Sequence, residues 1–113
     1  MTDSIKELQR QIVEFRDARN WKQFHNPKDL AISIALEAAE LLEVFQWSGS
    51  DTSADKNIEK VKEELADIII YCGLMADRTG LDIAEIVEAK LAVNNKKYPV
   101  EKAYGKSDKY NKL

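Results

Sequence analysis

The chain is short of the residues that break up a backbone: it has two prolines and four glycines in 113 positions. So few turn-formers exclude a many-stranded β-sandwich and a flexible low-complexity chain. It has one cysteine, Cys72, so no internal disulfide can form. Set among Ile70, Tyr71 and Leu74, that thiol is expected to be packed rather than nucleophilic. There is one histidine, His25. No apolar run approaches the roughly 20 residues that cross a bilayer, and Met1 to Arg10 has no apolar signal-peptide core, so the chain is expected in the cytoplasm. An excess of positive charge is missing too. The formal net charge is -3 with a sequence pI near 5.2, and the lysines are spread among acids, so no nucleic-acid partner is expected.

What remains is 44% hydrophobic and 33% charged, the composition of long helices joined by few turns, in one domain. Ser4 and Glu7 form a capping box, and Ile5, Leu8, Ile12 and Phe15 recur at helical spacing, predicting a first helix to about Arg19. A connector from Asn20 to Pro27 holds Trp21, Phe24 and His25, an unusual amount of aromatic surface. Asn26, Pro27 and Asp29 start a second helix that should reach about Trp47. Ser48 to Asp55 reads as a loop, and a third helix follows from about Lys56 to Arg78, with Gly80 as its C-terminal cap. Asp82 and Glu85 open a fourth helix, which Pro99 stops soon after Tyr98. The division is an all-α domain over residues 1–99 and a polar tail over 100–113. The two middle helices are apolar on more than one face, so other subunits are expected to cover them, giving a homodimer or homotetramer.

Four acids sit where a plain bundle would not put them. Glu37 follows Ile34 by three and precedes Leu41 by four, so it projects from an apolar stripe, with Glu40 at i+3. Glu64 stands in the same relation to Val61 and Ile68, with Asp67 at i+3. An ionised carboxylate in an apolar seam costs several kcal/mol unless paired or bound to a cation, and four together repel. A divalent ion resolves that conflict, and an all-oxygen donor set suits Mg²⁺, with Mn²⁺ as the other hard candidate. A di-iron carboxylate bundle would need Glu with His three residues on, and the single histidine lies in a connector. The plain alternative makes these four ordinary surface acids with Lys60 or Lys62 as helix partners. Two pairs on apolar stripes of adjacent helices weigh against it.

The pairs Glu37-Ala-Ala-Glu40 and Glu64-Leu-Ala-Asp67 have the spacing of the metal motif of the MazG-like all-α nucleotide pyrophosphohydrolases. The chain resembles that family, and within it the short dCTP pyrophosphatases, over nearly its whole length. Arg19-Asn20-Trp21-Lys22-Gln23-Phe24-His25, Phe45-Gln46-Trp47, Glu63 to Asp67 with Tyr71, Lys90, Asn94, Lys97-Tyr98-Pro99 and Lys109-Tyr110 all share in it. Ala39 stands where members often carry Gly, and the loop between the acid pairs is short. The resemblance implies a four-helix MazG-like bundle assembled into an oligomer. It also implies a Mg²⁺-dependent enzyme that hydrolyses the α–β phosphoanhydride of a nucleoside triphosphate, with dCTP or a related deoxynucleotide as first choice, in clearance of unwanted nucleotides. Glu37, Glu40, Glu64 and Asp67 are then metal ligands and catalytic acids. Lys90 and Lys97 contact phosphate. Trp21, His25, Trp47 and Tyr71 hold base and sugar, and Asn94 contacts phosphate or a neighbouring helix. Two other readings stand beside this one: a non-catalytic helical oligomerisation module, whose acids would bind no Mg²⁺, and a pyrophosphohydrolase of a different nucleotide, such as a histidine-pathway intermediate, with the same metal site.

Overall fold

The computed structural model describes residues 4–113, which form an all-α structure. Helix α1 spans Ile5–Asp17, and the Ser4 side chain accepts a hydrogen bond from the Glu7 amide, as the capping box requires. It stops two residues before the expected Arg19, where Asn20 takes a positive φ of 55° and turns the chain. A single 3₁₀ turn, Lys22–Phe24, carries the aromatic connector. Helix α2 spans Pro27–Glu43, with the Asn26 side chain accepting from the Asp29 amide at 2.8 Å and proline at the first helical position.

The expected end of α2 at Trp47 is corrected to Glu43. From Val44 the hydrogen bonds tighten to i→i−3: Phe45 donates to Leu42, Gln46 to Glu43 and Ser48 to Phe45. The residues through Trp47 therefore wind onward as turns, and Trp47 is 89% exposed. After a 3₁₀ turn at Asp55–Asn57, helix α3 runs from Ile58 to Thr79. Gly80, at φ 69°, is the left-handed cap expected of it, and the Leu81 amide reaches back to the Ala76 carbonyl. Helix α4 spans Ile83–Lys97 with the Asp82 cap in place. The segment beyond it is not featureless. It holds a short helix α5, Val100–Ala103, and a 3₁₀ turn at Tyr110–Lys112, and the Tyr110 ring meets Tyr98 edge-on at 6.1 Å.

Helices α2 and α3 form an antiparallel hairpin, and α1 lies along α3 in the opposite direction: Lys6 and Gln9 near its start meet Asp82 and Leu81 just past the end of α3, and Phe15 near its end lines a cavity with Asp67 and Ile70. Leu30 of α2 meets Ile12 of α1 and Leu74 of α3 in a small core, with Tyr71 and Met75 against it. α1 and α3 approach closely at Gly73, where a Cβ would come within 2.8 Å of the Ile12 side chain. One turn further on, Arg16 is 2% exposed; an ion pair to Asp77 at 2.6 Å joins α1 to α3, and a second to its sequence neighbour Asp17 at 2.9 Å completes its pairing. α4 touches this unit at its start: Lys6 pairs with Asp82 at 3.6 Å, and Gln9 donates to the Leu81 carbonyl.

The core is small for the chain. The accessible surface is 8753 Å², against roughly 6,300 Å² for a compact monomer of this mass, and the radius of gyration is 17.4 Å against roughly 13 Å. Leu65 and Ile69 of α3 are exposed, as is Cys72 one turn beyond. The expectation of a packed thiol is corrected: within one chain Cys72 lies on the outer stripe of α3, away from Ile12 and Leu74.

Candidate active site

Antiparallel pairing of α2 and α3 sets the middle of one helix against the middle of the other, and this brings Glu37 and Glu40 to Glu64. Carboxylate oxygens of all three lie within 4.8 Å of one another. They differ in exposure: Glu64 is 4% exposed, Glu37 half-buried and Glu40 exposed. Glu64 Oε1 takes an ion pair from Lys60 at 2.9 Å, while Oε2 of Glu64 and Oε2 of Glu37 are buried with no hydrogen-bond partner. Two orphaned anionic oxygens in one recess would be costly without a cation. The donors are all oxygen, as hard divalent ions require, so the residues fit a divalent metal.

The electrostatics follow from that crowding. Hydrogen bonding to Glu37 and Glu64, with their charge, pushes the Glu40 carboxyl up to about 7. The Lys60 ammonium holds Glu64 below the usual carboxylate range against the opposing effect of its burial. The cluster thus carries unequal acids: one ionised and buried, one exposed and reluctant to ionise.

Of the four predicted acids, these three come together, and Asp67 does not join them. One turn along α3 from Glu64, Asp67 instead lines a neighbouring cavity of about 190 Å³ with Trp21, His25, Tyr71, Phe15 and Arg16. This cavity gathers three of the four predicted base and sugar contacts, while Trp47 lies outside it. Trp21 stands edge-on to Phe15 at 5.8 Å, with the Arg19 guanidinium over the Phe15 face at 3.8 Å. Lys90 and Lys97 are exposed and Asn94 half-buried on α4, which packs mainly against the start of α1. Within one chain they are not gathered with the acids, and Lys97 Nζ sits 4.9 Å over the Tyr110 ring.

Sequence reasoning missed one member of the site. Glu43, a further i+3 step from Glu40, lines a cavity of about 390 Å³ with Glu40, Val44, Lys60 and Glu64. The Glu37, Glu40, Glu43 series was its available signal. Lys60, named above as a helix partner of the acids, pairs at i+4 with the buried Glu64 and so belongs to the site. Lys62 stays a surface partner, pairing with Glu59 at 3.1 Å.

His25 supplies a direct check on the second cavity. Its Nδ1 is buried without a partner, and burial, followed by the charges of Arg16 and Arg78, pushes the imidazole below its ordinary 6.5. The folded form therefore disfavours protonation. Stability from this group is complete above the unfolded value and is lost as pH falls through and below it. Because the chain has one histidine, an NMR titration should show a single imidazole transition with its midpoint under 6.5. A midpoint at or above that value would contradict the burial.

This combination of a carboxylate triad on a helical hairpin and an aromatic recess beside it can be set against known proteins. The MazG-like family model matches residues 32–113, about three quarters of the chain. The chain belongs to the MazG-like family. It is 33% identical to dCTP pyrophosphatase 1 of Bos taurus over 115 aligned positions, covering 97% of this chain and 68% of that protein. The Mus musculus and Homo sapiens proteins of the same name are 34% and 32% identical over similar spans. Among solved structures, a pyrophosphatase from Archaeoglobus fulgidus superposes with a TM-score of 0.76 at 40% identity, covering 84% of this chain and 92% of that one. The MazG-like match extends to residue 113. Among the described residues no helix is long and apolar enough to cross a membrane.

Proposed function

We propose that this MazG-like chain, a nucleoside triphosphate pyrophosphohydrolase, uses Mg²⁺ to convert dCTP or a related deoxynucleotide to the monophosphate and pyrophosphate, clearing unwanted nucleotides from the cytoplasmic pool. The observation that carries the reading is the pair of orphaned, buried carboxylate oxygens, Glu37 Oε2 and Glu64 Oε2, on two acids whose carboxylates cluster with that of Glu40. They support a cation site over decorated surface acids, and so favour an enzyme over a helical interaction module. The names of the relatives support the substrate class.

Glu37, Glu40 and Glu64 would hold the ion, and Asp67 joins them as a ligand if its side chain turns from the aromatic cavity, one helical turn away. When bound, the divalent ion supplies charge neutralisation on the triphosphate oxygens and polarises the α phosphorus. The chain's own groups do the rest. Trp21 and Tyr71 present flat faces to a base, and the neutral His25 imidazole offers a hydrogen bond to its edge. A carboxylate of the cluster takes a proton from the attacking water, and the recess fixes the angle of attack. Lys90, Lys97 and Asn94 serve the phosphates from a position outside the single-chain cluster, and Trp47, exposed here, also acts only where chains meet.

We infer a homodimer or homotetramer from the surface excess of more than roughly 2,000 Å² over a compact monomer, the scale of an obligate interface. The groove between α1 and α3, lined by Leu8, Ile12, Phe15, Ala66, Ile69 and Ile70, encloses about 420 Å³ with almost entirely apolar walls and is suited to a second copy. Sedimentation equilibrium at about 10 µM should give at least twice the 12.9 kDa chain mass. A monomer would remove this part of the reading.

The decisive test of the activity is pyrophosphate release over the common and modified nucleoside triphosphates, with and without Mg²⁺. We expect Mg²⁺-dependent turnover with a deoxycytidine nucleotide among the best substrates. No release from any nucleotide would return the chain to the interaction-module reading, and a different preferred nucleotide would leave the metal site intact while replacing the substrate.

A further inference from the structure

The cavity lined by Glu40, Glu43, Val44, Lys60 and Glu64 contains one ammonium among three carboxylates. Lys60 Nζ is 2.9 Å from Glu64 Oε1 and 3.6 Å from Glu63 Oε2. An i,i+4 lysine–glutamate pair ordinarily joins two solvated groups and contributes a few tenths of a kcal/mol. This pair is one-sided. The lysine side chain is 57% exposed and free to swing on its four-carbon stem, whereas the glutamate side chain is 5% exposed and has no access to compensating water. Its second oxygen, Oε2, is buried with no hydrogen-bond partner, and a Glu64 oxygen lies within 4.8 Å of carboxylate oxygens of Glu37 and Glu40, so Lys60 satisfies only half of a carboxylate that belongs to the cluster.

A divalent ion at the cluster would add two positive charges within a few ångströms of that ammonium. The two cations repel, and they draw on the same Glu64 charge. We propose that Lys60 is a resident counter-cation, neutralising Glu64 when no divalent ion is bound and swinging off it toward solvent when one binds. Such an arrangement lets the fold tolerate a buried carboxylate without metal. It also lowers the affinity for the bare ion, so that the ion is retained chiefly when a triphosphate adds its own negative oxygens. The inference rests on the metal-site reading above and goes beyond it, because it sets the order of loading: the ion and the nucleotide bind together.

The test is calorimetric titration of the EDTA-stripped full chain with Mn²⁺ alone, for the parent, Lys60→Met, Lys60→Arg and Lys62→Met. Lys60→Met removes the charge and keeps the stem, and it is expected to bind Mn²⁺ about fivefold more tightly, the effect of one partly screened charge. Lys60→Arg and Lys62→Met, which keep the cation or remove one that pairs with Glu59, should stay within about twofold of the parent. In EDTA the Lys60→Met Tm should fall below that of the parent, and saturating Mn²⁺ should close the gap. Equal or weaker Mn²⁺ binding by Lys60→Met would overturn the proposal, leaving Lys60 as a residue that merely orients Glu64. The metal-site reading fails separately: Glu40→Gln binding Mn²⁺ as tightly as the parent would end that reading whatever Lys60 does.

Discussion

Glu64→Gln is expected to slow pyrophosphate release by at least about a hundredfold and to erase the rise in Tm that Mg²⁺ gives the parent chain. Glutamine keeps the volume of the side chain, and its carbonyl oxygen can still accept from the Lys60 ammonium. What is lost is one negative charge and the orphaned anionic oxygen Oε2, on the most buried acid of the three. A ligand that binds only the folded form must raise its stability by mass action, about 2.7 kcal/mol at a hundred times Kd, so the missing shift reports the missing site independently of turnover. Circular dichroism should show the same helicity as the parent. Parent-like turnover in Glu64→Gln would show that the cluster is not where the chemistry happens.

The second large effect is on stability, and its order runs against the number of ion pairs removed. Arg16 is 2% exposed, with Asp77 32% and Asp17 53% exposed at their side chains. Asp77→Ala leaves a buried guanidinium with one solvated partner, and should cost about 2–4 kcal/mol in urea unfolding. Arg16→Met removes the buried charge and returns two aspartates to water, which they already reach. It should therefore cost less than Asp77→Ala, although it deletes both ion pairs instead of one. A larger loss for Arg16→Met would mean that the guanidinium acts mainly as packing between α1 and α3. Because α1 also supplies Phe15 to the aromatic cavity and leads directly into Trp21, Asp77→Ala should disturb base binding as well, without touching the acid cluster.

The helices were legible because their signals are local. Ser4, Asn26, Asp82 and Gly80 act within three or four residues of themselves, through one side-chain hydrogen bond or one backbone conformation, and each sits where its chemistry requires. The end of α2 was not legible. Val44, Phe45 and Trp47 keep the apolar content of a helix while the backbone tightens, and nothing in their side chains records that change. Cys72 misled for a related reason. Its neighbours in sequence are apolar, but one face of α3 is turned to Leu30 and Ile12 and the opposite face is left outside, and an i+1 neighbour does not share a face.

The site divides in the same way. That Glu37, Glu40, Glu64 and Asp67 are out of place could be seen from spacing, since an acid three and four residues from apolar neighbours must share their stripe. Which of them meet could not. Glu37, Glu40 and Glu64 converge while Asp67 turns to Trp21, His25 and Tyr71, a difference set by the crossing of two helices and the side-chain rotamers at it. Four helices, their caps and two acidic pairs follow from local order alone, because periodicity and capping act over a few residues. Packing settled the rotamer by which Lys60 neutralises Glu64, the burial of Arg16 between two aspartates, and the meeting of Trp21 and His25 with Asp67 around one cavity. Those are encounters between residues distant in the chain or choices among rotamers, and packing alone selects them.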